Sequence, residues 1–222
     1  MAGMASHMSS HTLTVGFDLD MTLIDSRAGI KANYLALSAE TGVPIDADLV
    51  VSRLGPPVDD EMANWFPAER VAVVADRYRE TYPRHAIAPT TALPGARAAI
   101  EAVQALGGRA IVVTAKFQPN AELHCTHLGL TPDLVIGDLW AEGKGKALLA
   151  EGAQVYVGDH VGDVRGAQVA GAVSVGVTTG PCDADELRAA GADVVLSDLT
   201  AFPAWLRAYE ARRRADEPRR TA

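Results

Sequence analysis

The chain has 222 residues, 48% of them apolar, with 20 Lys and Arg against 28 Asp and Glu for a net charge of −8. That length and apolar content allow one sizeable core, or a core with a small insert. The acidic balance gives no electrostatic case for nucleic acid or an anionic membrane, and no apolar run reaches the length of a membrane span.

Met1 to Met8 lack the apolar stretch of a signal peptide, so residues 1–10 read as a cloning remnant. Leu13-Thr14-Val15-Gly16-Phe17 is an apolar, β-prone run that ends abruptly in Asp18 and Asp20. It reads as a strand buried on both faces of a parallel sheet, the kind of sheet that binds ligands at the carboxyl ends of its strands. Residues two apart in an extended chain point the same way, and two like charges held together need a cation or a proton.

After Ser26 the pattern turns helical. Ile30, Tyr34 and Leu37 share one helix face, and Gly42-Val43-Pro44 ends that helix. Leu54-Gly55-Pro56-Pro57 is a turn. Val71, Val74, Ala75, Tyr78 and Tyr82 then recur at helical spacing. Residues 27–90 contain no convincing buried strand and read as an all-helical block that could close over a site.

Strand–helix alternation begins at Pro94. Helices are expected at about 94–106, 119–127, 144–150, 162–170 and 183–190, the third opened by a Glu142-Gly143 turn. Strands are expected at Arg109–Val113, Leu134–Ile136, Gln154–Val157, Val173–Val177 and Val194–Leu196. Such alternation implies parallel strands with right-handed crossovers. The arginines from Arg212 onward, including Arg219 and Arg220, read as a solvated, frayed basic tail over 211–222. Cys125 and Cys182 lack metal-ligand spacing and read as free buried thiols of a protein in a reducing cytoplasm.

Three strand ends carry polar groups: Asp18 with Asp20, Thr114, and Asp159 followed by Asp163 in Gly158-Asp159-His160-Val161-Gly162-Asp163. Lys144 opens the helix that leads to the Asp159 strand. Oxygen-only ligands suit a hard cation such as Mg²⁺. A carboxylate nucleophile, a cation and a lysine together suit phosphoryl transfer.

These motifs, in this order, resemble the haloacid dehalogenase-like hydrolase superfamily, and within it phosphoglycolate-phosphatase-like members with an inserted helical cap. Phe17-Asp18-Leu19-Asp20-Met21-Thr22-Leu23 is similar to the first motif, Val112-Val113-Thr114-Ala115-Lys116 to the second, Lys144 to the third and Gly158-Asp159-His160-Val161-Gly162-Asp163 to the fourth. The resemblance implies an α/β, Rossmann-like three-layer sandwich over residues 11–25 and 91–210, with the cap at 26–90. It implies that Asp18 attacks phosphorus, that Asp20 is the proton donor and then the base, and that Thr114 and Lys144 meet the phosphoryl group. Mg²⁺ would be held by Asp18, the Asp20 carbonyl and Asp159, with Asp163 ligating directly or through water. The implied substrate is a small soluble phosphate ester, and the implied activity a Mg²⁺-dependent phosphatase working through an aspartyl phosphate. A phosphomutase and an inactive binding module stay open as alternatives, and no oligomeric state follows from the sequence.

Met21 stands where the family has glycine, and Ala115 where it commonly has asparagine. Lys146 competes with Lys144 for the third role. Ala115, Lys116 and Arg53 are candidates to touch substrate, His160 reads as a solvent-exposed strand-end histidine, and Trp65 and Trp140 as packing residues. A proton donor working near neutrality needs a raised pKa, so Asp20 is expected to have one.

Overall fold

The computed structural model describes residues 12–216; the expected cloning remnant at 1–10 and Arg219 and Arg220 of the tail lie outside them. The chain opens with β1 (Thr14–Phe17) and β2 (Ile24–Asp25). Four helices follow: α1 (Arg27–Thr41), α2 (Ala47–Val51), α3 (Val58–Met62) and α4 (Ala68–His85). Then come β3 (Thr91–Ala92), α5 (Ala96–Ala105), β4 (Arg109–Val113), α6 (Gln118–Leu128) and β5 (Leu134–Ile136). The rest is α7 (Glu142–Ala150), β6 (Val155–Gly158), α8 (Val161–Ala170), β7 (Val173–Val177), α9 (Ala184–Ala189), β8 (Val194–Leu196) and α10 (Phe202–Asp216).

Six strands form one parallel sheet in the order β5-β4-β1-β6-β7-β8. β1 is therefore central, and chain order reverses across it, which is where such sheets leave a crevice at their carboxyl ends. Every residue of β1 is buried, as a strand covered on both faces requires. Val15, Phe17, Val112 and Val157 pack with Ile100 of α5, Cys125 of α6 and Phe202 of α10. Ile111, Val113 and Tyr156 face the other way, against Leu148 of α7 and Ala167 of α8. The result is three layers, helix on sheet on helix. Gly16 brings α7 close to β1: a Cβ there would meet Leu148 Cδ2 at 2.5 Å.

Helices α1–α4 enclose a separate apolar cluster containing Ile30, Tyr34, Leu37, Val74, Tyr78 and Tyr82. Both helix faces expected from the sequence are thus the buried ones. Where the chain leaves for this block and where it returns, β2 and β3 pair antiparallel, Ile24 opposite Ala92. Two-residue strands are too short to show a period of two, so nothing in the sequence marks them.

Two expectations need correction. Glu142 and Gly143 are the first turn of α7 and not a turn before it. The basic segment is not frayed up to Asp216, because α10 runs unbroken from Phe202. Its Phe202 and Leu206 are fully buried, and Glu210, 3% exposed, accepts from Arg213 Nε at 2.8 Å. An amphipathic helix thus extends across the boundary expected at residue 210.

Candidate active site

Because β4 and β6 flank β1, the strand ends that carry Thr114, Asp18 and Asp159 are neighbours. Pairing continues one residue past β1, where the Asp18 N–H donates to the Val157 carbonyl at 2.8 Å. Asp18, Asp159 and Asp163 are all buried, and one carboxylate oxygen from each lies within 4.8 Å of the others. Lys144, 1% exposed, sits between Asp18 at 2.9 Å and Asp163 at 2.7 Å. Lys146, two residues on and therefore on the opposite side of α7, is exposed. Between the two lysines, only Lys144 reaches the acids.

Three carboxylates with one ammonium leave an excess of negative charge in a dry place. Burial, followed by repulsion from Asp163 and Asp18, holds the Asp159 carboxyl well above its usual range. Burial also raises Asp18, with Lys144 pulling against it and Asp163 pushing with it, to about 7. Lys144 loses solvation, yet the two acids hold it protonated above its usual range. An all-oxygen pocket with uncompensated charge has the chemistry a hard divalent cation needs. Asp159 accepts from the Thr22 hydroxyl at 2.7 Å. Gly180 is forced here, since a Cβ would lie 1.7 Å from Asp159 Oδ2. Asp163 is already engaged at both oxygens: Oδ1 by Lys144 and the Tyr156 hydroxyl, Oδ2 by the His160 N–H.

Asp20 departs from expectation. Burial alone would raise it, but Lys116, 3.0 Å away, and the Ser26 hydroxyl outweigh burial and hold its pKa below the ordinary value. The pairing that decides this spans 96 residues of chain and has no local signature. Met21, next along, takes a φ of 58°, the left-handed conformation that glycine adopts freely.

Lys116 also donates to the Tyr82 hydroxyl at 2.8 Å, and that hydroxyl lies 3.0 Å from His124 Nε2. A largely buried chain Asp20–Lys116–Tyr82–His124 thus joins the sheet edge to helix α4 and on to α6. Sequence reasoning missed Tyr82 in this role, because its helical spacing signalled only packing. It also missed His124, Ser26, Thr22 and Tyr156. Burial, aggravated by the Lys116 charge, pushes the His124 imidazole down to about 3 from its usual 6.5. A depressed folded-state pKa stabilises the protein above the unfolded value, and that stabilisation is lost as pH falls from 6.5 toward 3. At pH 5 the loss amounts to about 2 kcal/mol. Urea midpoints at pH 7 and pH 5 should therefore drop more for the wild type than for His124→Gln; equal drops would remove His124 from this account.

Thr114 is buried at the mouth, and its hydroxyl accepts the Lys116 N–H at 3.2 Å. It does not cap α6, whose N-cap is Phe117. Asp18, Asp20, Arg53, Thr114, Ala115 and Lys116 all line one cavity of about 90 Å³ between the sheet edge and helices α1–α4. Arg53 reaches it from the segment after α2, paired to Glu61 at 2.7 Å. His160 is not solvent-exposed as expected: it is half-buried against Trp140, and its Nδ1 accepts the Gly162 N–H at 3.0 Å. Capping α8 is what turns it inward. Trp140 packs as expected, and the Trp65 N–H donates to Glu61 at 2.8 Å. Cys125 is buried and Cys182 half-buried; both are free thiols. Among the described residues, no helix is long and apolar enough to cross a membrane.

A family model described as haloacid dehalogenase-like hydrolase matches residues 15–168, and a HAD-hydrolase-like model matches 146–202. A phosphoglycolate phosphatase of Chromobacterium violaceum is 29% identical over 215 residues, covering 85% of this chain and 94% of that protein. A probable phosphatase of Dickeya dadantii is 27% identical over 204 residues, covering 83% and 89%. A haloacid dehalogenase-like hydrolase of Streptococcus pneumoniae superposes with a TM-score of 0.75 at 23% identity, covering 90% of this chain and 98% of that one; this last likeness bears on the fold alone. The first of these matches runs unbroken from β1 through the helical block to α8, across all the strand ends that meet at Asp18. The chain belongs to the haloacid dehalogenase-like hydrolase family.

Proposed function

We propose that this chain is a Mg²⁺-dependent phosphatase that hydrolyses a small soluble phosphomonoester through an aspartyl phosphate. One observation carries the reading: Asp18, Asp159 and Asp163 are buried together, with a single lysine, Lys144, paired to Asp18 and Asp163. Asp18 and Asp159 would hold the cation with the Asp20 carbonyl. Asp163, its oxygens already taken, would orient Lys144 and meet the ion only through water. The bound cation would offset charge on the transferring phosphoryl group.

Asp18 would attack phosphorus as the bond to the ester oxygen breaks. Asp20 would hand its proton to that departing oxygen, then take one from the water that cleaves the acyl phosphate. For this, Asp20 must first gain a proton. A phosphate dianion beside Lys116 would draw that ammonium's field away from Asp20 and raise its proton affinity. Thr114 would donate its hydroxyl to a phosphoryl oxygen.

Residues 26–90 would act as the cap, closing the cavity and excluding water while the acyl phosphate exists. Its tie to the core through Tyr82 and Lys116 supports that assignment, as does the Asn120 side-chain amide donating to the Arg79 carbonyl at 3.4 Å. The test is release of inorganic phosphate from p-nitrophenyl phosphate with Mg²⁺. Release should stop with EDTA and return when Mg²⁺ is restored. No release at any divalent concentration would refute the activity; undiminished release in EDTA would refute the metal.

A further inference from the structure

The cavity that holds Asp18 is lined by three cations, and each already has a carboxylate. Arg53 binds Glu61 through two nitrogens, at 2.7 and 3.0 Å. Arg79 binds Asp76 at 3.0 Å and also pairs with Asp59. Lys116 binds Asp20 at 3.0 Å. The remainder of the lining is largely apolar and aromatic, with Ile30, Tyr34, Leu54, Val58, Tyr78 and Phe117 facing the space.

A phosphate ester that carries a second negative group on its alcohol would have to share a cation with one of these acids, as Asp59 and Asp76 share Arg79. Sharing sets the incoming charge beside a carboxylate already held on that guanidinium, and like charges side by side repel. An uncharged alcohol sets no charge against these acids, and the lining it meets is largely apolar and aromatic.

We propose that the site selects phosphomonoesters of uncharged, partly apolar alcohols and discriminates against esters bearing a carboxylate. Glu61 is the residue that enforces this, by holding a negative charge on Arg53. Glu61 accepts from Arg53 and from the Trp65 N–H, which fixes its charge at the edge of the cavity. This inference rests on the phosphatase reading above and deepens it.

The test compares kcat/KM with Mg²⁺ for phenyl phosphate, 4-carboxyphenyl phosphate and phosphoglycolate. Phenyl phosphate should exceed both carboxylated esters by about tenfold to a hundredfold, within the range that like-charge juxtaposition in a binding site supports. In Glu61→Gln, which removes the competing charge and leaves the side chain's shape, the ratio of phenyl to 4-carboxyphenyl phosphate should fall at least about threefold, some 0.65 kcal/mol. A ratio taken within one preparation does not depend on how much of the variant is folded. Preference for either carboxylated ester in the wild type would overturn the inference while leaving the phosphatase reading intact. So would a ratio unchanged by Glu61→Gln. Hydrolysis of none of the three would overturn the phosphatase reading itself.

Discussion

Asp18→Asn should lower phosphate release by at least about a thousandfold, the scale on which losing a nucleophile acts. The fold should survive. Burial, with Asp163 adding to it against the pull of Lys144, holds the Asp18 carboxyl up at about 7. A raised folded-state pKa stabilises the native chain below the ordinary value of 3.8, and that contribution is lost as pH rises through about 7. Above pH 7, without a divalent cation, the wild type therefore carries an ionised carboxylate that costs stability, and the neutral amide does not. The melting midpoint of Asp18→Asn at pH 8 in EDTA should equal or exceed that of the wild type. Retained activity would take the nucleophile's role from Asp18. Lost activity together with a much lower midpoint would make Asp18 a structural residue instead.

Lys144→Met should be the most damaging single change to stability at this site. The ammonium is 1% exposed and sits within 2.9 Å of two buried acids. Removing one partner of such a group strands the others, at about 3–5 kcal/mol. Urea unfolding at pH 8 should show that loss. It should shrink as pH is lowered through about 7 and Asp18 takes up its proton. Activity should fall by at least about a hundredfold, since a fixed positive charge beside the phosphoryl group would be gone. Lys146→Met, two residues on, should change stability by less than about 0.5 kcal/mol because that side chain is exposed. Equal effects from the two variants would undo the assignment of Lys144.

The two variants also mark how far the sequence could be read. The strand that ends at Asp18, the strands that end at Thr114 and Asp159, and the alternation between them were legible, because burial on both faces writes itself as continuous apolar runs. The faces of α1 and α4 were legible from spacing alone. Which lysine serves the acids was not, since Lys144 and Lys146 differ only in which side of α7 meets β1.

Local pattern by itself determined the six-strand α/β core, the helical block after β1 and the acids at the strand ends, because periodicity and breakers act within a few residues. Tertiary structure alone decided the ionisation of Asp20, which Lys116 sets from 96 positions away. It also decided the inward turn of His160, the occupancy of Arg53 by Glu61, and the extension of α10 to Asp216. Those outcomes depend on the dielectric and the partners that folding supplies, and neither exists along an extended chain.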